Sequence, residues 1–355
     1  MGKLPVKNLL FITQKMDKND DLLGVYHEWI KQFAGEFDFV SVICLEKGEY
    51  DLLPNVKVFS LGKESGRSRL KYIVNFYKYI WSLRNNYDAV LVHMNKEYVI
   101  LGWKFWRLSG KKIFLWHNHA KGGFFVRLAV VLSDKVFYTS SDSFTARFKK
   151  SRKMPAGLDT EKFKPSGFEP HSSGFKILSL GRISPVKKTE VLIKAAEILD
   201  KRGGDFILDI AGSAPERDVL YFNKIKKEAA VLEQKGKLKF LGSVKNSVAS
   251  DLYGNHDVFV NLTPAGSFDK TVIEAALCGT LVLACNKAFE PLLTEEFLFK
   301  EGDSADLAEK LQNVFELIRS NPGRAEKIKK RMRAGAAENH GLDILIKKLI
   351  GNFNE

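Results

Sequence analysis

Cysteine is scarce in this chain, with three among 355 residues, Cys44, Cys278 and Cys285. They have neither metal-ligand spacing nor the even count of a disulfide framework, which excludes a disulfide scaffold and fits a reducing compartment. Long apolar runs are also lacking. The run at 9–13 is five residues long, too short for a signal core or a spanning helix, and no later run reaches membrane-spanning length without charges. A cytoplasmic protein without a signal sequence is expected. No clustered carboxylate motif of the Asp-x-Asp type stands out, so no metal site is expected. Short repeats, low-complexity tracts and a recognisable nucleic-acid reading motif are absent too.

What is present is a chain long enough for two domains with separate cores and an ordinary 45% hydrophobic content. The net charge of +14 is unevenly spread: residues 51–150 hold 18 Lys/Arg against 6 Asp/Glu. That same stretch carries Tyr72, Phe76, Tyr77, Tyr79, Trp81, Trp103, Phe105, Trp106, Trp116, Phe124 and Phe125. Basic residues interleaved with aromatics suit an anionic membrane surface or a polyanion. The plain alternative is a set of half-buried helix faces.

Hydrophobic patterning alternates between strands and helices. Strands are expected at 7–13, 39–44, 56–60, 89–93, 112–116 and 135–140, with helices at 25–33, 71–84, 98–108 and 126–133. In the 71–84 segment, Tyr72, Ile73, Phe76, Ile80 and Leu83 share one face, which predicts core contact. A Pro, Gly and Ser concentration at 164–174 marks a linker. A second alternation follows, with strands at 175–180, 206–211, 238–241, 258–262 and 280–284 and helices at 189–199, 219–234 and 248–253. A last amphipathic helix at 342–353 can pack on either half. This rhythm predicts parallel, doubly wound sheets, with one Rossmann-like domain over 1–165 and a second over 166–341.

Two stretches of the second half carry chemistry. At 264–280 a polar loop leaves one strand and enters a helix expected to begin near Thr271 and to end at Gly279. Such a junction presents unpaired N–H groups and the positive end of a helix dipole to an anion. Glu274, one turn inside, is a carboxylate able to accept from a pair of ribose hydroxyls. At 181–188, Gly181 permits a tight strand exit, and Arg182 and Lys187 are cations suited to a diphosphate. Both strand ends belong on the carboxyl edge of the sheet, where open α/β domains bind ligands.

Together these stretches resemble the donor-binding half of the retaining glycosyltransferases of family 4, which have the GT-B architecture. LSLGRISPVKK looks like that family's strand followed by Gly-Arg-Leu-Ser-Pro-x-Lys-Gly, and HDVFVNLTPAGSFDKTVIEAALCGTLVLAC like its Glu-x7-Glu segment. PAGLDTEKFKP at 155–165 is similar to its hinge signature. The resemblance implies two Rossmann-like doubly wound domains facing each other across a cleft, the first for an acceptor and the second for a nucleotide sugar. It implies retention of anomeric configuration, a UDP- or GDP-sugar donor and a glycan or lipid-linked acceptor at the cytoplasmic membrane face, with no protein nucleophile. Arg182 and Lys187 then neutralise the departing diphosphate without a metal, and Glu274 holds the ribose.

The sequence departs from the family pattern in places. Gly266 stands where the first glutamate belongs, and Asp269 and Lys270 replace a glycine and an apolar residue. The expected reading is a variant loop in which Phe268, Asp269 and Lys270 contact sugar or phosphate, beside Gly181 and Thr271. The hinge has Ala156 in place of Asn, and Lys188 replaces a glycine. In the first half, His117 and His119 compete for the family's sugar-facing histidine. His119 precedes a small residue, as the family's His-Gly does, and ranks first, with a neutral imidazole contacting a sugar hydroxyl. His93 reads as structural, and Gly24 among carboxylates is a weak match to the family's first loop. Other GT-B chemistry, such as nucleotide-sugar epimerisation or hydrolysis, and a non-catalytic sugar-nucleotide or membrane-surface module are the alternatives.

Overall fold

The computed structural model describes residues 6–20, 23–66, 68–165, 174–245, 248–266 and 268–355. Most of the linker expected at 164–174 lies outside them. The chain divides into two compact units, Met1–Gly157 with Gly341–Glu355, and Leu158–His340. The first holds β1 (Asn8–Met16), α1 (Val25–Glu36), β2 (Phe39–Lys47), β3 (Val56–Ser60), α2 (Arg69–Ser82), β4 (Ala89–His93), α3 (Lys96–Leu108), β5 (Lys112–Trp116), α4 (Phe124–Leu132), β6 (Lys135–Tyr138) and β7 (Ser151–Lys153). Its parallel sheet has the order β3-β2-β1-β4-β5-β6-β7.

The central strand shows why its sequence is apolar without alternation. Leu9 and Phe11 enter one core cluster and Leu10 and Ile12 the other, so both faces of β1 are buried. Residues of α1 fill the first face, and residues of α2, α3 and α4 the second. The strand expected at 7–13 runs on to Met16 because it stays paired with β2 through Lys47. Of the face expected to be buried on α2, Phe76, Ile80 and Leu83 are in the core, whereas Ile73 is exposed. Ile73 lies on the side of α2 that also exposes Leu70 and Tyr77.

The second unit holds β8 (Phe175–Leu180), α5 (Thr189–Lys201), β9 (Phe206–Ala211), α6 (Val219–Gln234), β10 (Leu238–Gly242), α7 (Ala249–Gly254), β11 (Val258–Asn261), α8 (Lys270–Leu277), β12 (Leu281–Ala284), α9 (Ser304–Ser320) and α10 (Pro322–His340). Its parallel sheet runs β10-β9-β8-β11-β12. The chain reverses its direction of travel across the sheet between β8 and β11, and such a switch point leaves a crevice at the carboxyl ends. Helices α9 and α10, which the sequence reading did not anticipate, pack on α5 and α8 respectively. The long α10 buries only a thin stripe, Ala325, Ile328, Met332 and Ala336, amid charged residues.

The final helix α11 (Leu342–Asn354) joins the first unit. Leu342, Leu345, Ile346, Leu349 and Phe353 complete the core beside α1. Five such side chains, at about 1.5–3 kcal/mol each, are worth on the order of 10 kcal/mol as an upper estimate. The first unit therefore depends on a segment nearly 200 residues away from its last strand. Gly157 sits where the chain leaves that unit, with φ +69°, and its carbonyl accepts from Trp29 Nε1 at 2.9 Å. A Cβ there would stand 2.3 Å from Leu345 Cδ2.

Candidate active site

A shallow pocket, open to solvent, lies at the carboxyl edge of the second sheet, at the switch point. Gly181, Arg182 and Lys187 line it from the loop after β8, and Asn261 and Thr263 from the end of β11. Gly181 adopts φ +151°, and its carbonyl oxygen lies 1.9 Å from where a Cβ on Gly212 would stand. The two strand exits cross so closely that only glycine fits at 212. Lys188 has φ +47°, a left-handed conformation that favours glycine, which accounts for the family's preference at that position.

Arg182 is exposed at the pocket, whereas Lys187 is half-buried. The Lys187 ammonium donates to Thr263 Oγ1 at 2.8 Å and to Asp269 Oδ2. Asp269 is the N-cap of α8, so the helix begins at Lys270, one residue before Thr271. Its carboxylate also accepts from Thr263 Oγ1 at 2.6 Å, Asn261 Nδ2 at 2.9 Å and Thr271 Oγ1 at 2.9 Å. Burial opposes ionisation here, yet the Lys187 charge and these hydrogen bonds hold the carboxyl well below the usual carboxylate range. Asn261 and Thr263 were missed in the sequence; their polarity at the end of an apolar strand was the available signal.

Further along α8, Glu274 Oε2 accepts from Tyr253 at 3.0 Å. Burial pushes the Glu274 carboxyl up to about 7 and the Lys270 amine down to about 8. Phe268 packs against Phe289 and His340, with ring centroids 4.9 and 5.1 Å away. The structure therefore brings Gly181, Arg182 and Lys187 to the pocket, joins Asp269 and Thr271 to them through one network, and sets Phe268 in a separate aromatic cluster. Gly266, in the first glutamate's place, has φ +93°, a conformation in which a glutamate is strained.

At the carboxyl edge of the first sheet, β5 is followed by His117, Asn118 and His119. Asn118 Oδ1 accepts from the N–H groups of Thr139 and Ser140 at 3.0 and 2.9 Å, tying this turn to the end of β6. His119 is exposed, and its carbonyl accepts from Phe144 N at 2.8 Å. His117 is buried, its Nδ1 has no hydrogen-bond partner among the described residues, and its ring meets His119 edge-on at 5.3 Å. Burial, first, and then the neighbouring His119 push the His117 imidazole down to about 4. His93 lies in the core against Phe11, Tyr26, Trp29 and Trp116. Lys15, near the end of β1, meets Asp17 at 3.2 Å and Asp20 at 2.9 Å in the loop before Gly24, and reaches Glu46 on β2 at 3.5 Å. Among the described residues no group of three His, Cys, Asp or Glu is arranged to hold a metal ion.

The basic, aromatic stretch divides. Phe76, Trp106 and Trp116 are core residues, while Tyr77, Trp81, Trp103, Phe124 and Phe125 are exposed on α2, α3 and α4. Tyr77 donates to the Leu101 carbonyl at 3.0 Å, and Trp81 lies 5.7 Å from Phe105, so α2 and α3 form one surface. Arg84 stacks over Trp81 at 4.9 Å. No described helix is long and apolar enough to cross a membrane.

Two parallel, Rossmann-like sheets, the second with a pocket at its switch point, define an α/β fold of the GT-B class. Residues 161–334 match the family Glycosyl transferases group 1. The match falls within the second unit, Leu158–His340, and spans just under half of the chain. Over 142 residues the chain is 28% identical to mannosylfructose-phosphate synthase of Agrobacterium fabrum, a match spanning 36% of this chain and 30% of that protein. Among solved structures, Anabaena HepE in complex with UDP has a TM-score of 0.77 at 17% identity, covering 97% of this chain and 99% of that one. A glycosyltransferase from Rickettsia africae has a TM-score of 0.79 at 17% identity, with 98% of each chain covered. Sucrose-phosphate synthase from Thermosynechococcus elongatus has a TM-score of 0.74 at 15% identity, with 97% and 98% covered.

Proposed function

We propose that this chain is a retaining, metal-independent glycosyltransferase that moves a sugar from a nucleoside-diphosphate sugar to a glycan or lipid-linked acceptor at the cytoplasmic face of a membrane. The observation that carries this reading is the switch-point pocket, lined by Arg182 and Lys187, within the segment that matches Glycosyl transferases group 1. UDP is the first choice of nucleotide, because HepE structures hold UDP and UDP-glucose, and a GDP-sugar is the second.

In this reading Arg182 and Lys187 meet the diphosphate, with Gly181 allowing its close approach. Glu274 takes the ribose hydroxyls, and Phe268, Asp269, Lys270 and Thr271 form the loop on the donor side. The bond from the anomeric carbon to the diphosphate breaks, the acceptor oxygen bonds to that carbon, and its proton passes to the departing phosphate. Fixed cations stabilise the charge that develops on the leaving group. His119 contacts a sugar hydroxyl. The exposed aromatics and basic residues of α2, α3 and α4 meet an anionic bilayer.

One observation favours a second reading, a non-catalytic nucleotide-sugar module: Gly266 occupies the first glutamate's place in a conformation that suits glycine. Incubation with UDP-glucose or a GDP-sugar, with and without acceptor and chelator, separates the two. Transfer with retained configuration that survives the chelator is expected. Free sugar or an epimer indicates other GT-B chemistry, and binding without turnover under any acceptor indicates the module.

A further inference from the structure

We propose that Asp269 is a built-in counter-anion of the phosphate pocket, a specificity-determining residue that cancels the Lys187 charge and loosens the hold on a nucleoside diphosphate. This rests on the donor site proposed above.

The hydrogen bonds of one carboxylate carry the argument. Oδ2 takes Lys187, Thr263 Oγ1 and Asn261 Nδ2, and Oδ1 takes the Thr271 hydroxyl at 2.9 Å and the Thr271 N–H at 3.3 Å. A carboxylate has about four lone-pair sites, and these are filled. No acceptor capacity is left for a sugar hydroxyl, so Asp269 is not a sugar ligand. Four of the five donors are neutral and come from β11, the loop beyond it and α8 itself. They hold the carboxylate in place whether or not Lys187 is engaged, and an incoming phosphate does not expel it.

Two consequences follow for an anion in the pocket. The start of α8, with its unpaired N–H groups, is already capped by the Asp269 carboxylate. The Lys187 ammonium, which lines the pocket, shares its charge with the same group. Arg182 is left as the cation of the pocket lining without an ion-pair partner among the described residues. A diphosphate thus meets one full positive charge where Arg182 and an unpaired Lys187 offer two. The weaker hold favours release of the spent nucleoside diphosphate, a step that limits turnover in many transferring enzymes.

The test is calorimetric titration of UDP, UMP and uridine into wild type, Asp269→Asn, Asp269→Ser and the double variant Lys187→Met/Asp269→Asn. Asn and Ser both cap helices, so each removes the charge and keeps the cap. Both single variants are expected to bind UDP about tenfold more tightly, with a steeper dependence on salt and no change for uridine. In the double variant the gain disappears. Unchanged or weaker UDP binding in the two folded single variants overturns the proposal. Loss of the fold in both also overturns it, because the neutral donors are held to secure the loop. If wild type and variants bind none of the three probes, and GDP does not bind either, the donor-site reading itself fails; UDP binding that ignores Asp269 defeats only this inference.

Discussion

Tyr253 donates its phenolic hydrogen to Glu274 Oε2 at 3.0 Å, linking α7 to α8 beneath the proposed ribose position. Burial raises the Glu274 carboxyl to about 7, and the charge of Asp269 pushes the same way while the Tyr253 hydrogen bond opposes it. Glu274 therefore changes charge near neutrality in the empty site. Holding two ribose hydroxyls requires the ionised form.

Uridine affinity is accordingly expected to rise with pH through about 7 and to level off above it. Tyr253→Phe removes the opposing hydrogen bond and shifts the midpoint upward by roughly half a unit to one unit. Titrating uridine between pH 5.5 and 8.5 checks this, and a flat profile in wild type removes Glu274 from the ribose. The raised value acts on stability in the other direction. Between the ordinary 4.5 and about 7 the folded state keeps a proton that the unfolded chain has released, so this group's contribution falls as pH rises through that window.

Arg182→Ala is expected to weaken UDP binding by about tenfold or more, the loss of a charge-assisted phosphate contact. Arg182→Lys restores part of the loss, because it keeps the charge without the planar fork. Equal UDP affinity in wild type and Arg182→Ala takes the guanidinium out of the diphosphate site.

Gly212→Ala places a Cβ 1.9 Å from the Gly181 carbonyl oxygen. Backbone has to move, so a loss of about 2 kcal/mol or more in unfolding free energy is expected, together with weaker UDP binding through the displaced Gly181 loop. Gly351→Ala in α11 meets nothing within 4 Å and is the control, neutral or stabilising by up to about 1 kcal/mol. Urea unfolding of both variants decides the matter.

His117 is buried, and its imidazole is held at about 4, against an ordinary 6.5. Between those values the unfolded chain binds the proton that the folded chain refuses. Its stabilising contribution is complete above 6.5 and is lost as pH falls toward 4, amounting to at most about 3 kcal/mol. His117→Gln should flatten that part of the pH dependence of the urea midpoint. An unchanged slope assigns the acid sensitivity elsewhere.

Trp81 and Phe124 are 61% and 73% exposed on the helices of the basic stretch. Replacing either with Ser is expected to reduce co-sedimentation with vesicles containing phosphatidylserine severalfold and to leave urea stability within about 0.5 kcal/mol. Sedimentation that is independent of anionic lipid argues against the membrane face.

The sequence by itself determined the double alternation of strands and helices, because apolar periodicity is local and each buried strand of a parallel sheet writes a continuous apolar run. Strands β3, β4, β5, β8 and β9 were legible to the residue, and so was the Gly181–Lys188 loop as an exit from the sheet. Helix α10 was harder to read, since its narrow apolar stripe is surrounded by charge. Three matters were decided only by tertiary structure. Helix α11 joined the first unit's core because its apolar face fits beside α1, a choice between two surfaces that its own amphipathic pattern left open. The aromatics of 51–150 were sorted into core and surface by which side of α2 and α3 faces the sheet. Lys187 and Asp269 are 82 residues apart and met Asn261 and Thr263 only when β8 and β11 paired at the switch point. A cation motif in the sequence thus became a neutralised pair in the fold, because charge depends on what stands beside a residue in space.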